Sequence, residues 1–192
     1  MTNSQEIIEV LGTMVESNGQ MSSLPVINSK NFKKVTYYKM GFLADLGANV
    51  GNMLLASDKK ETGVTNFDYG NTLPKGKSLK VDSIRVLFGT LVTDTDPKTS
   101  KYQSDAPVAF VNGEFFIAQD GSGNLFESSG SDVTNRKIAT TGNNDDFRNV
   151  GDVLLRSESP FQFIAKTVGA LPAQCVYKLE IRGTLIQSVS RN

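Results

Sequence analysis

The chain has no histidine, no tryptophan and a single cysteine among its 192 residues. Without histidine it lacks the usual general base, the base of a nucleophile triad and the commonest metal ligand. A metal-dependent cupin, whose ligands are typically histidines, is excluded on the same ground. One cysteine forms no internal disulfide and offers no second thiolate to a zinc site. Cys175 stands in a strongly alternating run, which assigns it to packing. Without tryptophan there is little sign of a stacking platform for sugars. Neither charge sign is in excess, with 20 basic and 20 acidic residues, so no strong field directs the chain to nucleic acid or to an anionic membrane. Two short basic groups (Lys30, Lys33, Lys34 and Lys75, Lys77, Lys80) read as solvated loops and strand ends. No apolar run approaches the roughly 18 residues that cross a bilayer. The first residues show no basic region followed by an apolar core, so no secretory signal is expected. These absences predict a soluble protein made in a reducing compartment. The length suits one domain of ordinary size, able to bury well over half of its unfolded surface without staples.

What is present begins with a helical period. In "SQEIIEVLGTMVES" the apolar residues Ile7, Ile8, Leu11, Met14 and Val15 recur at helical spacing and share one face. Asn3 or Ser4 can cap this helix, Glu6 stands in capping-box spacing from Asn3, and Gly19 is a plausible stop. A short helix containing Gly12 is marginal alone, so its stripe must dock on something. Residues 5–17 carry no Lys or Arg, whereas the polar face of a membrane-surface helix is usually basic. Docking on protein is expected, with residues 1–22 as a helical arm and 23–192 as a β domain.

After a polar linker holding the apolar knot Leu24 to Ile27, the period changes to two. Tyr38, Met40, Phe42, Ala44 and Leu46 share one face of a long half-buried strand, with Tyr37, Lys39 and Asp45 on the other. In "SLKVDSIRVLFGTLV", Leu79 and Val81 alternate on one phase and Ile84, Val86 and Phe88 on the other. That slip near Ser83 predicts a β-bulge or a strand buried on both faces. "VAFVNGEFFIA" places Asn112-Gly113 between two runs of β-formers, a hairpin signal. "DVLLR" and "FQFIAK" read as short strands. In the last long strand Cys175, Tyr177, Leu179, Ile181 and Leu185 face one way; Lys178, Glu180, Arg182 and Thr184 face the other. About eight strands separated by turns, with one helix, indicate an all-β sandwich or barrel.

Few stretches suggest chemistry. "GNTLPKGKS" ends like a phosphate-binding loop, but five residues separate Gly70 from Gly76 where that motif has four, and a strand follows instead of a helix. Pro74 would also interrupt the run of N–H groups. "LPKG" reads as a turn. "DGSGNLFE" resembles the start of a calcium loop but has Leu125 and Ser131 where Gly and Glu are needed. The acidic stretches at Asp94 and Asp96 and at Asp145 and Asp146 read as solvated loops. No metal, cofactor or catalytic residue is expected. Adjacent aromatics split across the two faces of a strand, so Phe32, Tyr37, Phe115 and Phe116 are candidate exposed interface residues beside Ile7, Ile8, Leu11, Met14 and Val15 of the arm.

"LPKGKSLKVDSIRVLFGTLV", then "VAFVNGEFFIA", then a long alternating C-terminal strand, resembles the jelly-roll capsid proteins of tailless, icosahedral, membrane-containing bacteriophages. The likeness lies in the turn Leu73 to Gly76, the strand Leu79 to Phe88 and Asn112-Gly113, about half of the chain. It implies a single jelly roll of about eight antiparallel strands, a non-enzymatic major or minor capsid subunit of a virion assembled after synthesis in the host cytoplasm. Its partners would be copies of itself in a symmetric oligomer or shell and other capsid proteins. It calls for no specific nucleic acid and no transmembrane segment, and leaves peripheral membrane contact open. The alternative is a carbohydrate- or receptor-binding β-sandwich whose loops Asp94 to Gln103, Asp120 to Asn124 and Thr140 to Asp146 carry the site. A histidine-free hydrolase using two carboxylates is the third reading.

Overall fold

The computed structural model describes residues 31–46, 50–90, 96–102, 105–134, 147–169 and 174–187. The arm residues Ile7, Ile8, Leu11, Met14 and Val15 lie outside the described residues, as do Asp94, Asp145 and Asp146.

Among the described residues eight strands form: β1 (Phe32–Phe42), β2 (Val50–Asn52), β3 (Lys77–Thr90), β4 (Glu114–Gln119), β5 (Gly123–Ser129), β6 (Arg148–Leu155), β7 (Phe161–Lys166) and β8 (Cys175–Gln187). They build two antiparallel four-stranded sheets, ordered β1-β8-β3-β6 and β2-β7-β4-β5. Four pairings, β1 with β8, β2 with β7, β3 with β6 and β4 with β5, join strands from opposite ends of the sequence inward. Two more, β3 with β8 and β4 with β7, close each sheet. Short helical turns α1 (Val108–Val111) and α2 (Gly130–Val133) lie beside the second sheet's strands.

Alternation decides which side chains enter the space between the sheets. β3 contributes Leu79, Val81, Ile84, Val86 and Phe88; β8 contributes Tyr177, Leu179 and Ile181. From the facing sheet come Phe115 and Ile117 on β4 and Phe161, Phe163 and Ala165 on β7. Burying each large apolar side chain stabilises the fold by about 1.5–3 kcal/mol. Ring contacts run through this layer, Phe67 to Phe161 at 6.0 Å and Phe161 to Phe163 at 5.8 Å. Polar groups that enter it are satisfied. The Tyr177 hydroxyl donates to the Met53 carbonyl at 2.8 Å, tying the two sheets together. Buried Gln119 donates to the carbonyls of Arg156 and Ser159 and accepts from the Arg156 N–H.

The register of β3 shifts between Val81 and Ser83 against both neighbours. One extra residue there lets Leu79 and Val81 before it, and Ile84, Val86 and Phe88 after it, all face the core. Gly183 lies opposite Val81. A Cβ on it would stand 2.3 Å from the Lys80 carbonyl oxygen, so the close approach of β8 to the bulge requires glycine. The turn before β3 spans Pro74 to Lys77, closed by the Lys77 N–H on the Pro74 carbonyl, with Gly76 at φ +74° in its third position.

Three expectations are corrected. First, β1 ends at Phe42 and the chain turns into a 3-10 helix over Leu43–Leu46. Tyr38, Met40 and Phe42 do share a face, but it is the outer one; Val35 and Tyr37 pack on the core. Second, Asn112-Gly113 closes no hairpin. Val108–Val111 is helical, and the N–H groups of Asn112 and Gly113 satisfy the carbonyls of Val108 and Phe110. The hairpin forms one strand later, between β4 and β5, through Asp120 to Ser122. Third, Phe115 is fully buried, because β4 turns it inward with Ile117, and it is no surface aromatic.

Candidate functional site

The outer face of the sheet β1-β8-β3-β6 carries the most elaborate polar arrangement among the described residues. β8 presents Lys178, Glu180 and Arg182 there, and the register sets Glu180 beside Arg85 of β3. The Arg85 guanidinium donates to Glu180 Oε2 at 2.6 Å, and the Lys178 ammonium donates to Oε1 at 2.7 Å. Glu180 is only 8% exposed. Burial alone would raise its pKa, but hydrogen bonds from Lys178 and Arg85, with their charges, outweigh that and hold the carboxyl below the usual range. Phe147, just before β6, lies against two guanidiniums, with the Arg182 carbon 3.7 Å and the Arg85 carbon 4.3 Å from the ring centre. The Lys178 ammonium also lies 5.7 Å from the Tyr38 ring.

Toward one end of this face the character turns apolar. Met40, Phe42 and Leu87 pack around Val176 and Tyr102. Tyr102 arrives from a strap, residues 96–102, that crosses Gly89 so closely that a Cβ there would meet Ser100 Oγ at 1.8 Å. The Tyr102 backbone is left-handed (φ +50°), and its hydroxyl donates to the Pro97 carbonyl at 2.8 Å. Burial, then the nearby Asp96 carboxylate, push its phenol pKa up. A buried tyrosine over a sheet's outer face explains why Met40 and Phe42 read from the sequence as core-facing.

The edges of the two sheets differ. β2 is three residues long. β6 is broken by Gly151 at φ +74°, whose N–H donates to the Asn149 side chain. β1 is eleven residues long, and among the described residues its edge is covered over only part of its length. A loop, residues 61–66, lies along that part. The Met40 N–H donates to the Val64 carbonyl and the Asn66 N–H to the Tyr38 carbonyl. The Asn66 side chain accepts from the Tyr38 N–H at 2.7 Å and donates to the Thr36 carbonyl at 2.8 Å.

The proposed interface aromatics are dispersed. Tyr37 is half-buried, stacked on Phe67 at 4.5 Å. Its phenol pKa is raised by burial first and by Asp68 second. Phe32 is half-buried at the start of the open edge. Phe116 is half-buried on the outer face of the second sheet, in register with Ile164 and Glu127. Among the described residues the exposed large apolar ones are others: Val108 at 72%, Val50 and Tyr69 at 59%, Val168 at 58% and Leu55 at 50%. The sequence hid Val108 because "VAFV" has the composition of a strand.

An open depression of about 350 Å³ lies across β1, β8 and the β3 bulge, lined by Lys34, Val35, Thr36, Asp82, Ser83, Arg182 and Gly183. The Lys34 ammonium crosses it to Asp82 at 2.8 Å. Among the described residues no group of three His, Cys, Asp or Glu side chains could hold a metal ion. The Cys175 thiol is buried, which pushes its pKa up to about 11. No described helix is long and apolar enough to cross a membrane. No protein-family model, curated protein or solved structure matches the chain.

Proposed function

We propose that this chain is a non-enzymatic structural protein, a single jelly roll that associates with copies of itself in a viral capsid shell. The strand order carries the reading. Pairing β1 with β8, β2 with β7, β3 with β6 and β4 with β5 supports the jelly-roll reading, in which a ribbon of two antiparallel halves wraps into two sheets. A fold of this kind hosts many functions, so the step to a shell rests on the surface. The outer faces are ordered by ion pairs and half-buried aromatics, and among the described residues a long strand edge is only partly covered. Subunit contacts of modest strength add up when symmetry repeats them. Sizing of the full chain at rising concentration, followed by electron microscopy of the largest species, tests the reading. Closed or sheet-like assemblies are expected. A strictly monomeric protein at high concentration contradicts it.

A binding module is the second reading, and the depression at the bulge favours it. Lys34, Arg182, Asp82, Thr36 and Ser83 line it together with Val35 and Gly183, a donor and acceptor set suited to an acidic saccharide. A glycan array with and without calcium, using the wild type and Arg182→Ala, tests it. Binding of acidic glycans that is lost in the variant favours the module; no binding removes it.

A further inference from the structure

We propose that the strap, residues 96–102, is a lid that opens as a unit while both sheets stay folded, uncovering an apolar groove on the outer face of the sheet β1-β8-β3-β6. The movement takes place within one copy, so the lid is independent of the shell reading.

The strap's backbone hydrogen bonds close on the strap itself. The Thr99 N–H donates to the Asp96 carbonyl and the Ser100 N–H to the Pro97 carbonyl. The Lys98 N–H donates to the Asp96 side chain and the Thr99 hydroxyl to the Asp96 carbonyl. The Tyr102 N–H donates to Ser100 Oγ and its hydroxyl to the Pro97 carbonyl. Among the described residues no backbone hydrogen bond joins residues 96–102 to a strand. Two attachments to the body remain. The Lys98 ammonium pairs with Glu61 at the start of the loop beside β1, an exposed contact and therefore a weak latch. The Tyr102 ring packs with Val176, Met40, Phe42 and Leu87 and is the main fastening. A segment bonded to itself and held by one ring detaches at far lower cost than the sheets unfold.

Strain points the same way. Tyr102 holds φ at +50°, an outlier for so bulky a residue. Seating its ring imposes that backbone, and detachment relieves it. The strand beneath is cut to receive the strap, because Ser100 Oγ lies 1.8 Å from where a Cβ on Gly89 would stand. With the strap down, Val176 is fully buried. With the strap lifted, Val176 joins the half-buried Met40, Phe42 and Leu87 in one apolar strip open to water. The strip is the seat of a single aromatic ring, so the open state offers a place for one.

Methyl relaxation dispersion on the full chain is the test. The methyl groups of Val176 and Leu87 are expected to exchange with a minor state, while those of Leu179 and Ile181 on the inner face show none. The minor-state shifts should match the ground-state shifts of Tyr102→Ala, which removes the ring, and of Gly89→Ala, which pushes Ser100 off the strand. Both variants should bind the apolar dye ANS several-fold more than wild type and still melt in one cooperative transition. Lys98→Ala should raise the open population by at most about fivefold, the limit set by an exposed ion pair. Should Tyr102→Ala and Gly89→Ala fail to fold, wild type and Lys98→Ala decide the matter by dispersion. Exchange at Leu179 and Ile181 together with Val176 would mean that the strap moves only with the whole fold. Silence at Val176 and Leu87 in both wild type and Lys98→Ala would mean that it is a fixed part of the sheet's cover. Either result overturns the lid.

Discussion

The two faces of the sheet β1-β8-β3-β6 use the same strands for different ends. Inward, β3 and β8 present an unbroken apolar layer, with Ile84, Val86, Phe88, Leu179 and Ile181 all fully buried. Outward, Arg85, Lys178, Glu180 and Arg182 form a charged group linked by ion pairs and by Phe147, beside the apolar end made by Leu87 and Val176. The inner face gains from removing apolar area from water, which is strong and non-directional. The outer face gains from hydrogen-bonded charge, whose net worth is small unless one partner is removed. Fold stability should therefore respond steeply to the inner face, and surface order to the outer one.

The largest effect is expected from Leu179→Ala. Its side chain is fully buried, so truncation loses transfer free energy and leaves a cavity, costing about 2–5 kcal/mol. Chemical denaturation with an unchanged m-value would confirm it. A cost below about 1 kcal/mol would mean that the two sheets close over the gap, and that the inner face is less tightly packed than the contrast requires.

Next comes Glu180→Gln. It leaves Lys178 and Arg85 without the carboxylate that both approach, and about 1–3 kcal/mol is expected to be lost. The pH dependence gives the sign independently. The folded carboxyl is held below its usual pKa of 4.5, so its contribution is present above that value and is lost as pH falls through the folded pKa. Wild type and variant should therefore converge in stability as the pH falls through the folded pKa, below the usual carboxylate range. A gap that persists into strong acid would show that the carboxylate's charge is not what matters.

Phe147→Ala ranks third. Removing the ring from Arg85 and Arg182 should cost about 0.5–1 kcal/mol at so accessible a site. The informative readout is the Arg182 side-chain NMR signal, which should lose its ring-current shift while the core methyl signals of Ile84 and Leu179 stay in place.

The same contrast explains what the sequence disclosed. Alternation in β8 and the phase slip at Ser83 were legible because burial on the inner face is enforced at every second residue, and a slip of one residue would expose the whole set. The phase of β1 was not. Met40 and Phe42 look like core residues because their end of the outer face is itself covered, by Tyr102 from a strap some sixty residues downstream. Only the folded chain brings that strap over Gly89. Asn112-Gly113 misled for a related reason. A hairpin needs two strands, yet "VAFV" is short enough to close as a helical turn with Phe110 buried. Gly113 is then needed because a Cβ would meet the Lys166 carbonyl at 2.1 Å, a packing demand and not a turn type. Of the candidate surface, the charged residues of β8 were readable as outward-facing. The pairing of Glu180 with Arg85 depends on a contact 95 positions apart, which no local pattern carries.

The smallest effect on stability belongs to Lys34→Ala. Its ion pair with Asp82 is exposed, with side chains 66% and 33% accessible, and such pairs contribute at most about 1 kcal/mol. A change within about 0.5 kcal/mol is expected by thermal or chemical denaturation. The position gains its meaning from comparison with Glu180→Gln. Both substitutions remove one charge of an ion pair on the same outer face, but Glu180 is buried and Lys34 is not. If burial decides what a lost charge costs, Glu180→Gln should cost more by about 1 kcal/mol. If the two cost the same, the outer face responds to charge alone. A loss above about 1 kcal/mol at Lys34 would break the contrast from its polar side, because a solvated pair would then stabilise the fold as a buried one does.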